Sequence, residues 1–452
     1  MTSVLTWTAR AAPAMRSRRL AALQASHHAM WNYVTYRDAI ALVGLDPAEV
    51  YPDGGTRLPP EWADLGWLTS FTGPPESALD AMRGALVRDA LDVYPPDLLE
   101  SLRDAAAAGL GRERDEEFEV VGTEGAQAGI ALALMAVVDP GDEVVVGDPG
   151  YFHLPAAILA AGGVPVPVPV DAASGFRLDP ERAAAALTPR TRAICVVDPV
   201  NPYGTVLEAD AVEHLAGLCE RRGVLLVDDV THGLLAIDPA SSLHPAAGDR
   251  AVVTFSVSHC FGMAGARLGF LAGPPALMRA CLQLKAALTR LNTNLVSQHG
   301  ALAALRDDAY IAATQATVRR NLAHLEQTLG GVEGVRLAVR PQRGLACALD
   351  VAGTGTTAQE LMVALFARRV AVYPGDGLGE VAAATTIRLN LSNPDPWAMD
   401  HLRAVLAEAV AEAAGGRWRE PVAELLDGKG TDRARRLAHR VRIGPPHEEV
   451  ET

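Results

Sequence analysis

From about residue 118, short apolar runs alternate with helical segments, and this alternation constrains the fold more than any other feature. "EFEVVG" reads as a strand, "GAQAGIALALMAVV" as a helix, "DEVVVG" as a strand and "LPAAILAAG" as a helix. "VPVPVPV" reads as an extended segment, "RAICVV" as a strand, "DAVEHLAGLCERRG" as a helix and "VLLVDD" as a strand, followed by "AVVTFS" and "RLGFLAG". Strands this uniformly apolar are buried on both faces. Helices between them supply the crossovers, so an α/β architecture with a mostly parallel central sheet covered on both sides is expected. Residues 275–328 read as long helices. Residues 330–415, from "GVRLAV" through "TIRLNLS" to "DHLRAVLAEAVAEAA", form a second, smaller α/β unit. The expected division is an N-terminal extension over 1–70 that contributes to the small domain and the pocket, a large domain over 71–328, a small C-terminal domain over 329–415 and a charged tail over 416–452.

Composition excludes several classes of function. The 452 residues are 49% apolar and 21% charged, enough for a large packed core. A net charge of −14 argues against a nucleic-acid partner, because phosphate contacts need a basic face. The longest apolar runs are too short to span a bilayer, so no membrane partner is expected. The N-terminus lacks the pattern of a secretory signal. Five cysteines without a CxxC pair suggest a reducing, cytoplasmic setting with neither disulfides nor a zinc site. His27-His28 has no third ligand at metal spacing, so no metal is expected. Only two lysines occur, Lys285 and Lys429; arginine carries almost all the basic charge.

In open α/β sheets, ligands collect at the carboxyl ends of the strands. Several polar features fall there. "VVGTEGAQAG" puts a glycine turn between strand and helix, where the N–H groups at Gly125, Ala126 and Gln127 can hold an anion. By itself it is an ordinary βα turn. "DPGYFH" places Tyr151 just past a strand end, where packing is the usual role. "VNPYGTV" is a turn around Asn201. "LLVDDV" ends a strand in two carboxylates, of which Asp228 is read as the inward one; a carboxylate there needs a cationic partner. "TFSVSHCFGMAGARLGF" offers the hydroxyls of Ser256 and Ser258 together with His259 and Arg267, a combination suited to a phosphate.

Individually these features are weak; in this order and spacing the chain resembles the pyridoxal-phosphate enzymes of fold type I, specifically the class I/II aminotransferases, over about residues 70–415. The resemblance implies that the turn Gly125–Gln127 holds the cofactor phosphate, with Ser256, Ser258 and Arg267. It implies that Tyr151 stacks on the pyridine ring, Asn201 bonds the ring hydroxyl and Asp228 pairs with the ring nitrogen. It implies a homodimer in which Tyr94 reaches the neighbour's phosphate, and a substrate α-carboxylate clamped by Arg388 with Asn201 beside it.

Two positions depart from the family pattern. His259 stands where the family has its Schiff-base lysine, and Thr231 where it has a tyrosine that contacts the cofactor ring hydroxyl. No lysine lies between residues 1 and 284, so a shift of register cannot restore the amine. Imidazole forms no stable imine, but with an ordinary pKa near about 6.5 it is a competent general base. The expected protein therefore binds pyridoxal 5'-phosphate or pyridoxamine 5'-phosphate non-covalently. It acts on an α-amino or α-keto acid with His259 as acid and base, and it fits specialised biosynthesis. The competing reading is an aminotransferase-like binding or regulatory protein. Among smaller signals, Cys260 is not expected to act as a nucleophile. His153 and His232 lie near strand ends and are candidates for substrate contact. "RARRLAHRVR" reads as a solvated or subunit-contacting helix.

Overall fold

The computed structural model describes residues 17–26, 32–51, 57–86, 92–379 and 382–444. His27 and His28 lie outside the described residues. Among the described residues thirteen strands follow in chain order: β1 (Ala63–Asp64), β2 (Glu119–Thr123), β3 (Glu143–Asp148), β4 (Val164–Pro169), β5 (Thr191–Val197), β6 (Leu225–Asp229), β7 (Ala251–Ser256), β8 (Gly269–Gly273), β9 (Arg336–Leu337), β10 (Ala346–Asp350), β11 (Val370–Ala371), β12 (Tyr373–Pro374) and β13 (Thr386–Asn390).

Seven of them build one sheet in the order β2-β8-β7-β6-β5-β3-β4. All neighbouring pairs run parallel except those made by β8, which is antiparallel to β2 and β7. The expected mostly parallel α/β sheet is present. The proline-rich β4 lies at the edge, paired only with β3. Three prolines at alternate positions remove three N–H donors, and a strand bonded on one side only can spare them. Alternation then sorts the layers. Leu225 and Val227 of β6 pack with the helices Ala126–Met135 and His153–Ala161, whereas Leu226 packs with the helix Ala209–Arg222 on the other face.

A four-stranded antiparallel sheet follows in the order β12-β13-β10-β9. It packs on the wholly buried helix Ala358–Phe366, in one core with the C-terminal helices Arg419–Gly428 and Asp432–Ile443. The segment after the N-terminal helix Tyr36–Leu42 joins this unit through β1, which pairs in parallel with β11. Residues 64–72 then cross toward the large sheet, with the carbonyls of Leu68 and Ser258 and the amide of Ser70 bonding across the junction. No helix among the described residues is long and apolar enough to cross a membrane.

Candidate functional site

The carboxyl ends of β2, β3, β5, β6 and β7 open on one side of the large sheet, and the polar residues there sort into an anion cradle and a basic pair. The cradle begins at Gly125, whose φ of +91° precedes the helix Ala126–Met135. A Cβ at Gly125 would lie 2.8 Å from Arg267 Nη2, and one at Gly269 would lie 2.5 Å from the Gly125 carbonyl carbon. Both positions therefore require glycine for the loop to close around the start of the helix. Arg267, itself at φ +51°, donates to the Glu124 and Ala264 carbonyls at 2.8 and 3.0 Å and is otherwise exposed. Ser256 and Ser258 are buried beside it, the Ser258 amide donating to Ser256 Oγ at 3.3 Å. Gln127 Nε2 donates to the His153 carbonyl at 3.1 Å, which ties the first turn of the helix to the turn that carries Tyr151. A helix N-terminus, two buried hydroxyls and a guanidinium are the kinds of group that suit an anion.

At the end of β6 the structure corrects the sequence reading. Asp228 faces away from this side. Its Oδ2 accepts from the Ala246 amide at 2.9 Å, within the layer of Leu226 and the helix Ala209–Arg222. Burial and the nearby charge of Asp198 push the Asp228 carboxyl well above its usual range. Asp229, one residue on, shares the face of Leu225 and Val227, and its charge acts on Tyr151. The reason is the period of two along a strand: a count off by one moves a side chain to the opposite face. Thr231 is corrected with it. Its hydroxyl and amide donate to Asp229 Oδ1 at 2.5 and 3.1 Å, so Thr231 serves the carboxylate. The third residue after Asp229 is His232, whose ring lies 4.6 Å from that of His259. The sequence carries no signal for this phase, since Val224, Leu225, Leu226 and Val227 are all apolar and two carboxylates follow them.

His259 Nδ1 is hydrogen-bonded to the Leu68 carbonyl. A carbonyl only accepts, so Nδ1 carries the proton and Nε2 keeps its lone pair. Burial, offset by that carbonyl and reinforced by Arg388 and Arg267, brings the His259 pKa down to about 4. Burial, then His259 and Arg388, also depress His232. The ordinary value assumed from sequence does not hold here; both imidazoles are neutral at pH 7 without a ligand. Burial raises Asp229 to about 6 against the pull of Thr231.

Arg388, on β13, is buried and makes no ion pair among the described residues. Tyr373 is its cross-strand partner, and the guanidinium lies 4.3 Å from that ring centroid. Nη2 donates to the Gly66 carbonyl at 3.1 Å while Nε is buried without a partner. Asn201 is also buried, with its Oδ1 unpartnered. Tyr151 packs edge-on against Phe152 and His153. Tyr94 stands apart on this chain, exposed, with Arg290 4.8 Å from its ring centroid. Cys260 is fully buried with Sγ toward the Thr231 carbonyl, a packing position.

Neither lysine amine is part of this arrangement. Lys285 Nζ binds Asp97 at 2.6 Å and Thr293 at 2.8 Å in the interior, and Lys429 Nζ binds Asp38 at 2.7 Å.

Comparison with known proteins settles the family. The model for aminotransferase class I and II matches residues 68–406. The chain belongs to the class I and II aminotransferase family. It is 31% identical to a probable aspartate/prephenate aminotransferase of Thermus aquaticus over 325 residues, covering 70% of this chain and 83% of that one. It is 33% identical over 296 residues to an arginine–pyruvate transaminase of Pseudomonas aeruginosa, covering 62% and 72%. Among solved structures, an aspartate aminotransferase single mutant of Thermus thermophilus aligns with a TM-score of 0.74 at 26% identity, over 87% of this chain and 99% of that one.

Class I and II aminotransferases use pyridoxal or pyridoxamine phosphate. The residues present suit such a group. The glycine-closed cradle suits an anion, Asn201 carries an orphaned buried oxygen, and Asp229 lies close enough for its charge to act on Tyr151.

Proposed function

We propose that this aminotransferase-family enzyme holds pyridoxamine or pyridoxal 5'-phosphate without a covalent tether and acts on an α-amino or α-keto acid, with His259 as the proton-transfer group. The observation that carries the reading is the position of the two lysines. Each amine is held by a carboxylate outside the site, while the groups that grip the cofactor's two ends remain.

When bound, the cofactor supplies a pyridine ring that withdraws electrons and makes the substrate's α-proton acidic. The chain's own residues do the rest. Ser256, Ser258, Arg267 and the N–H groups from Gly125 to Gln127 bind the phosphate. Tyr151 would stack on the ring, and Asp229, fixed by Thr231, would pair with its nitrogen; an opposite charge there would bring the raised Asp229 pKa down. Asn201 and Arg388 orient the ring hydroxyl and the α-carboxylate. Arg388 has an unused Nε and a planar fork suited to a carboxylate. His259 Nε2 accepts the α-proton and returns it, and the Leu68 carbonyl keeps the ring in the tautomer that leaves Nε2 free. The arriving phosphate and carboxylate are anions, so they raise the His259 pKa toward the working range. His232 packs against the His259 ring.

A homodimer fits the surface around Tyr94. Val93, Tyr94, Leu288 and Leu291 are all exposed near the Arg290–Tyr94 contact, an apolar patch that a second copy would cover.

The test is binding followed by reductive trapping. Pyridoxamine phosphate should bind by calorimetry, and pyridoxal phosphate should bind reversibly. Borohydride treatment of the pyridoxal-phosphate complex should leave every peptide unmodified by mass spectrometry. A cofactor adduct on Lys285 or Lys429 would refute the untethered site. Failure to bind either form would favour a binding or regulatory protein of other specificity.

A further inference from the structure

The helix Asp432–Ile443 lies beyond residues 68–406, the part of the chain that matches the family, yet it buries an arginine against a loop that touches the site. Arg433 is 4% exposed, unlike its neighbours Arg435 and Arg436, which face solvent. The solvated helix expected from sequence is thus solvated on one face only. Arg433 Nη2 donates to the carbonyls of Asp376 at 2.8 Å and Gly379 at 3.0 Å. These two bonds gather the turn that follows β12.

That turn is wedged between the two halves of the site. On one side, the Leu378 carbonyl accepts from the Gly150 amide at 2.8 Å, immediately before Tyr151. A Cβ at Gly379 would lie 2.1 Å from Asp148 Oδ1 and 2.8 Å from Pro149 Cα, so the turn sits flat against the end of β3. On the other side, a Cβ at Gly377 would lie 3.2 Å from the Tyr373 hydroxyl and 3.3 Å from the Tyr33 ring. Tyr33 and Tyr373 are hydrogen-bonded at 2.7 Å, and Tyr373 underlies Arg388. One short turn therefore touches both the segment carrying the ring-stacking Tyr151 and the pair carrying the carboxylate clamp.

We propose that Arg433 is a positioning residue: by tying the carbonyls of Asp376 and Gly379, it sets the turn 375–379 that holds the Tyr151 segment and the Arg388–Tyr373 pair in register. A neutral side chain of similar length fills the space but cannot bridge the two carbonyls. The turn then loosens at both ends. The catalytic consequence rests on the reading of the site given above; the structural coupling does not.

The test is amide hydrogen exchange on the ligand-free protein, with R433M, R433K and, as a surface control, R436A. In R433M the segments 147–152 and 375–379 should exchange about tenfold faster or more, while β5, β6 and β7 keep their protection. R433K should fall between, and R436A should match the wild type. With pyridoxamine phosphate bound, KM for an α-keto acid should rise about tenfold in R433M with kcat retained, because the clamp is displaced and the proton-transfer group is not. The proposal is overturned if faster exchange stays within the helix and 375–379 while 147–152 is unchanged, or if R436A reproduces the effect. If the wild type binds no cofactor, the catalytic reading fails, and the exchange data still decide the role of Arg433.

Discussion

Two buried basic clusters in this molecule are handled in opposite ways. Around Lys285, on the helix Pro275–Leu288, every charge has its answer within the chain. Asp97 receives Lys285 Nζ at 2.6 Å, Arg103 Nη2 at 3.3 Å and the Gly122 amide at 3.0 Å, and Thr293 takes a further Lys285 proton. Around Arg388 the surroundings are tyrosines and two imidazoles, with no carboxylate in contact among the described residues. An uncompensated buried guanidinium is costly and persists where a ligand completes it. The first cluster is closed and structural; the second leaves its charge without an ion-pair partner among the described residues, as the clamp proposed for an anionic substrate requires.

The largest effect should come from breaking the closed cluster. Lys285→Met leaves Asp97 without its nearest cation and should cost about 3–5 kcal/mol in urea denaturation. It should leave pyridoxamine phosphate affinity unchanged in whatever fraction folds. A loss below about 1 kcal/mol would erase the contrast.

The converse substitution sharpens it. Arg388→Leu should change stability by less than about 1 kcal/mol, since it removes a charge that has no partner. Affinity of the pyridoxamine-phosphate-loaded protein for an α-keto acid should fall roughly 100-fold by calorimetry. A stability loss as large as that of Lys285→Met would show Arg388 to be structural.

The depressed imidazoles predict a pH signature. The folded pKa of His259, about 4, lies below its unfolded value of about 6.5, so the unfolded chain binds more protons between the two. Stability from this group is complete above that unfolded value and is lost as pH falls toward the folded one. The raised carboxyls Asp198 and Asp229 act oppositely, losing stability as pH rises through about 4 to 7. The difference between wild type and His259→Gln isolates the imidazole. Relative to pH 8, the wild type should lose about 2 kcal/mol more than the variant by about pH 5. Parallel pH curves would contradict a desolvated, neutral ring.

The smallest effect separates the adjacent carboxylates. Asp229→Asn should weaken pyridoxamine phosphate binding about tenfold, and Asp228→Asn should leave it within about twofold. The reverse order would return the ring-facing role to Asp228.

Much of this was legible in the chain. The βα alternation yields the parallel sheet because each apolar run is long enough for one strand and too uniform to face water. The cradle is legible because glycine, serine and arginine must fall at set distances to surround a phosphate. The scarcity of lysine is legible by counting. The choice between Asp228 and Asp229 was not, because it turns on the phase of an alternation that two adjacent carboxylates blur. The contact of His232 with His259 joins the ends of two strands, and no local pattern records it. Arg433 escaped for a similar reason: in a run of arginines only the helix's packing decides which one is buried.

The parallel pairing of Ala63 and Asp64 with Val370 and Ala371 has a consequence for synthesis. A chain made from its N-terminus waits for roughly three hundred further residues before β1 can find its partner. Until then the carbonyls of Gly66 and Leu68, which meet Arg388 and His259, have no fixed place. The large sheet can form while translation proceeds, but the machinery at its edge is assembled last, when the growing chain has folded back on its own beginning.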